Sequence, residues 1–373
     1  MRSRRVGSLI SLVILLAGCE TTAPRKELVF AQVSAGTTHT CGTTVSGAGY
    51  CWGVGENGEL GNGKRITSSS PVAVSGGLTF RSLSAGGNNI WGWNRTCGVI
   101  TSGAGYCWGH EALSVLADDT VPTPVRGGLT LHSVGVGSGE MCALSTSGVA
   151  YCWGNLSVGF DPAPVPLAPS FQSLSVGSHA CGLTPGGAAY CWGDGGGGQL
   201  GDGADTSATS PVPVAGGLAF QSISAGGGHT CGVTTGGVGY CWGTNDNGEL
   251  GNGTTAWASS PVPVEGGLTF QAMSAGPSQS CGLTTSAAAY CWGANYYGEL
   301  GNGASVNGST QRVSHPVPVA GGLTFQSISA GGYHTCGLTT AGAVYCWGNN
   351  TYGELGDGTT ENSPRPVRVV GAR

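Results

Sequence analysis

Fifteen cysteines are the residues of this chain best suited to chemistry, and fourteen of them form seven pairs. Cys41 pairs with Cys51, Cys97 with Cys107, Cys142 with Cys152 and Cys181 with Cys191. Cys231 follows with Cys241, Cys281 with Cys291 and Cys336 with Cys346, always ten residues apart. Thiols at a fixed spacing can bridge, bind metal or act as nucleophiles. Zinc sites use closer pairs or mixed Cys and His clusters, so C-x9-C argues against metal. The last pair stands in HTCGLTTAGAVYCWG, residues 334–348. A hairpin centred on Ala341 sets Cys336 opposite Cys346 and Leu338 opposite Val344 on one side of the ribbon. Gly337 then faces Tyr345 on the other side, with Trp347 beyond it. The same register places a small residue against tyrosine in every copy, which a slipped register would destroy. Facing cysteines on antiparallel strands come within bridging reach. Seven disulfides are expected, each closing about eleven residues and worth roughly 2–3 kcal/mol in the chain-entropy model.

Other reactive side chains repeat without converging. His39, His179, His229 and His334 each stand two residues before a cysteine. Spread around a set of repeats they cannot share a metal, and they read as hydrogen-bonded structural histidines. Glu59, Glu249, Glu299 and Glu354 lie in GELGNG or GELGDG turns. One carboxylate per tight turn supplies too few oxygens for calcium. Neither a G-x-S-x-G elbow nor an H-E-x-x-H pattern occurs. The expectation is a non-enzyme with no cofactor and no metal. Function should then sit where the repeats break their own rule. GGNNIWGWNRTC (86–97) adds Trp91, Trp93 and Arg95, and exit loops carry Trp257, Tyr296 and Tyr297. Tyr333 and Tyr352 vary among otherwise matching positions. Aromatics and arginine on projecting loops are the residues that anchor protein interfaces.

The elements that carry these residues are short strands. First cysteines advance by 56, 45, 39, 50, 50 and 55 residues, the span of a four-stranded propeller blade. With 72 Gly and 18 Pro the chain would read as low complexity, but its strong period and only 9% charged residues indicate many tight turns between strands. A unit such as PVPVEGGLTFQAMSAGPSQSCGLTTSAAAYCWGANYYGELGNG (261–303) holds a proline-edged run, a GG turn, an alternating strand, the Cys hairpin and a glycine-rich turn. Prolines place the first run at a sheet edge. The N-terminal unit lacks that run and the C-terminal SPRPVRVV (363–370) has no strand after it. The expected closure joins 364–370 to the sheet begun by 29–36. The fold class is thus an all-β, seven-bladed propeller of four-stranded antiparallel blades over 29–373. Units two and three lack GELGNG after Trp108 and Trp153, so altered loops are expected on one rim.

MRSRRVGSLISLVILLAGCE opens with basic residues, an apolar run and small residues before Cys19, the three-part shape of an export signal. Leu16-Ala17-Gly18-Cys19 resembles the lipobox of bacterial lipoproteins. That resemblance implies cleavage after residue 18, a lipid on Cys19 and a short tether over 19–28. An ordinary signal peptide and an uncleaved anchor are the alternatives. Acylation also accounts for the one unpaired cysteine, and an oxidising envelope permits the bridges. Glu20 in place of aspartate leans toward the outer membrane. Without the leader arginines the chain carries 11 basic and 19 acidic residues and no basic cluster, which excludes nucleic acid as a partner.

The copies of SAGGGHTCGVT (224–234) and YCWGTNDNGELGNG (240–253) resemble the regulator of chromosome condensation repeat family, in its alpha-tubulin-suppressor-like form, across residues 29–370. The resemblance implies a seven-bladed propeller. Nucleotide exchange on a small nuclear GTPase, the activity of the eukaryotic namesake, does not suit an exported lipoprotein. Secreted bacterial relatives that grip β-lactamases with one face imply a protein partner instead. A glycan-binding module is the second expectation, and a hydrolase or lyase acting at the axis the third. A contiguous aromatic patch on one rim speaks for protein; paired aromatics with Asn or Asp in a groove, for sugar; converging carboxylates or histidines at the axis, for catalysis.

Overall fold

The computed structural model describes residues 27–87, 94–110, 120–154, 159–164, 169–304 and 311–372. Twenty-eight strands form seven four-stranded antiparallel sheets, and no described residue is helical. Blade 1 consists of β1 (Phe30–Ala35), β2 (His39–Thr44), β3 (Gly49–Gly53) and β4 (Ser68–Ala73), paired in that order. Blades 2 to 7 begin at Phe80, Leu131, Ser173, Phe220, Phe270 and Phe325. Each is a meander of neighbouring segments, so most pairing is local.

The hairpin register is the one that the spacing demanded: Cys336 faces Cys346, Gly337 faces Tyr345 and Leu338 faces Val344. All seven expected bridges are present. Cys41 is bonded to Cys51, Cys97 to Cys107, Cys142 to Cys152 and Cys181 to Cys191. Cys231 is bonded to Cys241, Cys281 to Cys291 and Cys336 to Cys346. Their Cα atoms stand 4.0–4.1 Å apart, as directly facing strand positions allow. The two sides of each hairpin then build different halves of a seam. Disulfide and Leu338-type side chains of one blade pack against the Phe and Trp of the next; Cys336, Leu338 and Cys346 meet Phe30 and Trp52. Six of the seven tryptophans on the Cys strands are fully buried, and Trp192 is nearly so. The paired tyrosines stay half-buried. The small residue opposite tyrosine has a purpose that the sequence did not show: a Cβ on Gly337 would strike the Phe325 ring, so glycine admits the phenylalanine of the innermost strand.

One expectation on closure is corrected. Ser363–Arg368 pairs with Val344–Gly348 inside blade 7 and does not enter the sheet of residues 29–36. The proline-edged run ends its own blade as the outer strand, where the missing N–H donors face away from the ladder. No blade is shared between the termini. Among the described residues the two ends meet at a parallel bridge, Leu28 with Ala372, where the Leu28 amide donates to the Gly371 carbonyl at 2.5 Å and Leu28 packs against the cluster holding Val369 and Ala372. The ring closes instead by seam packing, with Gly332 N–H donating to the Gly36 carbonyl at 2.9 Å.

Candidate functional site

Three sets of recurring groups fasten one blade to the next. At the axis, Gly331 approaches blade 1 so closely that a Cβ would lie 2.5 Å from the Gly36 carbonyl oxygen. Equivalent glycines meet the following blade at every seam around the ring. A few residues outward, Ala35 N–H donates to Ser329 Oγ at 2.9 Å, and five other seams repeat that bond. At the rim, Thr40 Oγ lies 2.7 Å from His334 Nε2 and donates to the Glu354 carbonyl, which also accepts Trp52 Nε1–H at 2.8 Å. The turn glycine Gly356, at φ 67°, lets that loop lie flat on the indole.

The rim clasp also joins blades 1 and 2, 4 and 5, and 5 and 6. Between blades 6 and 7, Gln279 replaces histidine and donates to the Gly331 carbonyl, while Thr335 and Trp347 keep their bonds to Glu299. Each of the four histidines thus serves its own seam. Burial holds His39 and His179 down at about 4 and His229 and His334 at about 3, so all are neutral. Blade 3 departs. Met141 and Ala180 replace threonine, Gly135 replaces the axial serine, and buried Trp153 Nε1 has no acceptor among the described residues. Elsewhere the acceptor is the carbonyl of the second residue of the GELGNG-type turn, a motif that the sequences of units two and three lack.

Among the described residues the axial mouth is lined by small side chains. Its cavity of about 120 Å³ is lined by Ala, Gly, Thr, Ser, Val and Pro from all seven blades. No group of three His, Cys, Asp or Glu among the described residues could hold a metal ion.

The aromatic candidates converge on one rim. Trp257, just over half exposed, donates its indole N–H to Asp246 Oδ1 at 3.1 Å. Neighbouring Asn247 accepts from half-buried Tyr296 OH at 2.8 Å. The Tyr297 ring meets Tyr333 edge-on, centroids 5.5 Å apart, and both remain more than a third exposed. Trp257 of blade 5 is thus linked to Tyr296 of blade 6 through the polar pair Asp246 and Asn247, and of these rings only Tyr297 and Tyr333 are in contact, across blades 6 and 7. Tyr352 is exposed in the corresponding loop of blade 7. Arg95 is corrected: it begins the second strand of blade 2, is 4% exposed and donates Nε–H to the His110 carbonyl. A position two before cysteine belongs to the buried clasp, whatever its residue type. Trp91 and Trp93 lie outside the described residues, as do Cys19 and the leader.

Tyr297 and Tyr352 occupy a position that elsewhere serves the turn. Asn57 and Asn247 donate Nδ2–H to Glu59 Oε1 and Glu249 Oε1 at 3.0 and 2.8 Å. Tyrosine keeps only the backbone bond, Tyr297 N–H to Glu299 Oε2 and Tyr352 N–H to Glu354 Oε2, each 2.8 Å. Glu299 Oε1 is consequently buried with no partner among the described residues. Burial raises all four carboxyls, and pushes those of Glu299 and Glu354 up to about 7. Tyrosine is therefore held here against the local demand of the turn.

Fold and rim together define a disulfide-bridged seven-bladed propeller with one aromatic edge. Models of the regulator of chromosome condensation (RCC1) repeat match residues 186–233, 237–283, 287–338 and 341–373, with a second RCC1 model at 220–249 and 325–354. The chain belongs to the RCC1 repeat family. Among curated proteins, the mitochondrial RCC1 domain-containing protein RUG3 of Arabidopsis thaliana is 37% identical over 54 residues, 14% of this chain and 12% of its own. The human E3 ubiquitin-protein ligase HERC2 is 43% identical over 68 residues, 18% of this chain and 1% of its own. The chain thus spans a small part of these relatives. Among solved structures, yeast RCC1 (Prp20) bound to Kap60 superposes with TM-score 0.73 at 19% identity, covering 99% of this chain and 91% of that one. Saccharomyces cerevisiae Prp20p, whose binding to Gsp1p and histones is described, gives 0.75 at 20% over 92% and 88%. Human WBSCR16 gives 0.75 at 19% over 86% and 93%. At these identities the likeness is one of fold.

Proposed function

We propose that the chain is an envelope-anchored, non-enzymatic propeller that binds another protein through the rim of blades 5 to 7. The observation carrying this reading is that exposed tyrosine stands at 297 and 352 where other blades have asparagine, which forgoes a carboxylate hydrogen bond on the rim that also exposes Trp257 and Tyr333. Large amphipathic rings give contact area at little entropic cost and are the usual anchors of protein interfaces. Protein binding by the structural relatives Prp20 and Prp20p, with Kap60, Gsp1p and histones, is consistent with such a use of the fold. Lipid on Cys19 would hold the propeller at a bacterial membrane, with 19–28 as tether. A glycan partner is the alternative, favoured only by Asp246 and Asn247 lying between Trp257 and Tyr296.

The test combines Trp257→Ala, Tyr297→Ala and Tyr333→Ala in the full chain. The triple variant should keep its melting temperature within a few degrees and lose the envelope proteins that the parent retains. Unchanged retention rejects the rim. For the anchor, labelled palmitate should enter the parent chain and not Cys19→Ser; equal labelling rejects Cys19 as the acceptor.

A further inference from the structure

The rim has a charge to match its rings. The turns after the first strands and the loops after the Cys-Trp strands lie at the same end of every blade, because the strands alternate in direction. In blades 4 to 7 those loops, residues 194–207, 244–257, 295–304 with 311, and 349–362, contain no lysine or arginine. Asp194, Asp205, Asp246 and Glu361 are exposed there, and Asp202 and Asp357 half-buried. Arg312 and Arg365 stand at the starts of the outermost strands of blades 6 and 7, and the Arg365 guanidinium lies against Gly303 of the blade 6 loop. Blade 1 differs, since Glu56 shares its loop with Lys64 and Arg65. At the other end of the propeller Arg126 lies in a linker and Arg81 donates to the Thr101 carbonyl of a turn, while Glu265 is tied by its amide to the Gly251 carbonyl of the blade 5 loop. The blade 6 loop carries only the buried carboxyl of Glu299, while exposed carboxylates of blades 4, 5 and 7 flank the aromatic faces. Asp246 joins them directly, since it holds the Trp257 indole N–H and leaves the exposed ring face free.

We propose that the partner segment received by this sector is rich in lysine or arginine; this rests on the reading that the rim binds protein. An ammonium or guanidinium over the face of Trp257, Tyr297 or Tyr333 gains from the ring quadrupole. The same cation beside Asp246 gains a charge-assisted contact, and the surrounding acids steer its approach. An acidic segment would meet exposed carboxylates on the loops of blades 4, 5 and 7. A neutral apolar one would leave Asp246 desolvated and unpaired by any cation.

A random twelve-residue peptide library panned on the full chain, with the Tyr297→Ala variant as counter-selection, gives the test. Selected peptides should be enriched about threefold or more in Lys and Arg, and Asp246→Lys should weaken them by about tenfold or more. Raising the salt should weaken them further. Rim-dependent peptides that are neutral or acidic would overturn the basic partner while leaving the rim as a protein site. No rim-dependent peptide at all, with sugar retained on a glycan surface, would overturn both.

Discussion

Glutamine in place of Glu299 should stabilise the protein at alkaline pH and leave it unchanged at acid pH. Glu299 is 1% exposed, one of its oxygens is unpartnered among the described residues, and burial pushes its carboxyl from 4.5 up to about 7. The unfolded chain ionises first, so between those two values the native state holds more protons and stability falls as pH rises. Above pH 7 the whole penalty is present: 2.5 pH units, or about 3 kcal/mol as an upper figure. Blade 4 already carries the neutral solution, Gln199 accepting Gly197 N–H at 2.8 Å. In a chain of this size about 3 kcal/mol corresponds to roughly 5 °C in melting temperature. Calorimetry at one scan rate should show Glu299→Gln melting a few degrees above the parent at pH 8.5 and level with it at pH 4. Tyr297→Asn, which restores the amide donor, should raise the alkaline melting temperature through a bond worth about 1.5–3 kcal/mol to a charged acceptor. A Glu299→Gln effect equal at both pH values would refute the reasoning, since packing alone has no such dependence.

Other perturbations probe the seams. Thr40→Val removes the acceptor of His334 and a donor to the Glu354 carbonyl at the seam between the termini, and should cost about 2–3 kcal/mol by denaturant unfolding. Gly331→Ala should be worse, because the added methyl meets backbone of blade 1 at the axis. The neutral, buried His334 must take up a proton to satisfy acid, so its contribution to stability is lost as pH falls from 6.5 toward about 3. His334→Gln, copying Gln279 of blade 6, should flatten that acid limb in a pH series of melting temperatures. Reduction should lower the melting temperature through the loss of bridges worth roughly 2–3 kcal/mol each, and alkylation without reductant should label no cysteine between residues 41 and 346.

The hairpins were legible because a period of two leaves little freedom: once Cys336 faces Cys346, Leu338 and Tyr345 have assigned sides. The proline-edged run was legible as an edge strand but not as the last strand of its blade. Both phases of a repeat look alike in sequence, and only pairing of Cys346 with Val367 decides between them. Arg95 was misplaced for a related reason, since its insertion looked like a loop while the rule two residues before cysteine already marked it as buried. The seam clasp was invisible because its acceptors are backbone carbonyls, Glu59 and Glu354 among them, and its donors lie about 50 or 300 residues away. The axial glycines share that difficulty, as each responds to the backbone of another blade. The cost at Tyr297 was readable in principle: GELGNG follows asparagine in blades 1 and 5 and tyrosine in blade 6.

Photo-crosslinking in intact cells tests the functional account most directly. Benzoylphenylalanine would replace Trp257 or Tyr333 on the aromatic rim and, as control, Val45, which is 70% exposed in a turn at the opposite end of blade 1. The account predicts a discrete protein adduct from positions 257 and 333 and none from 45. Adducts from 45 alone, or equal adducts from all three, would contradict it.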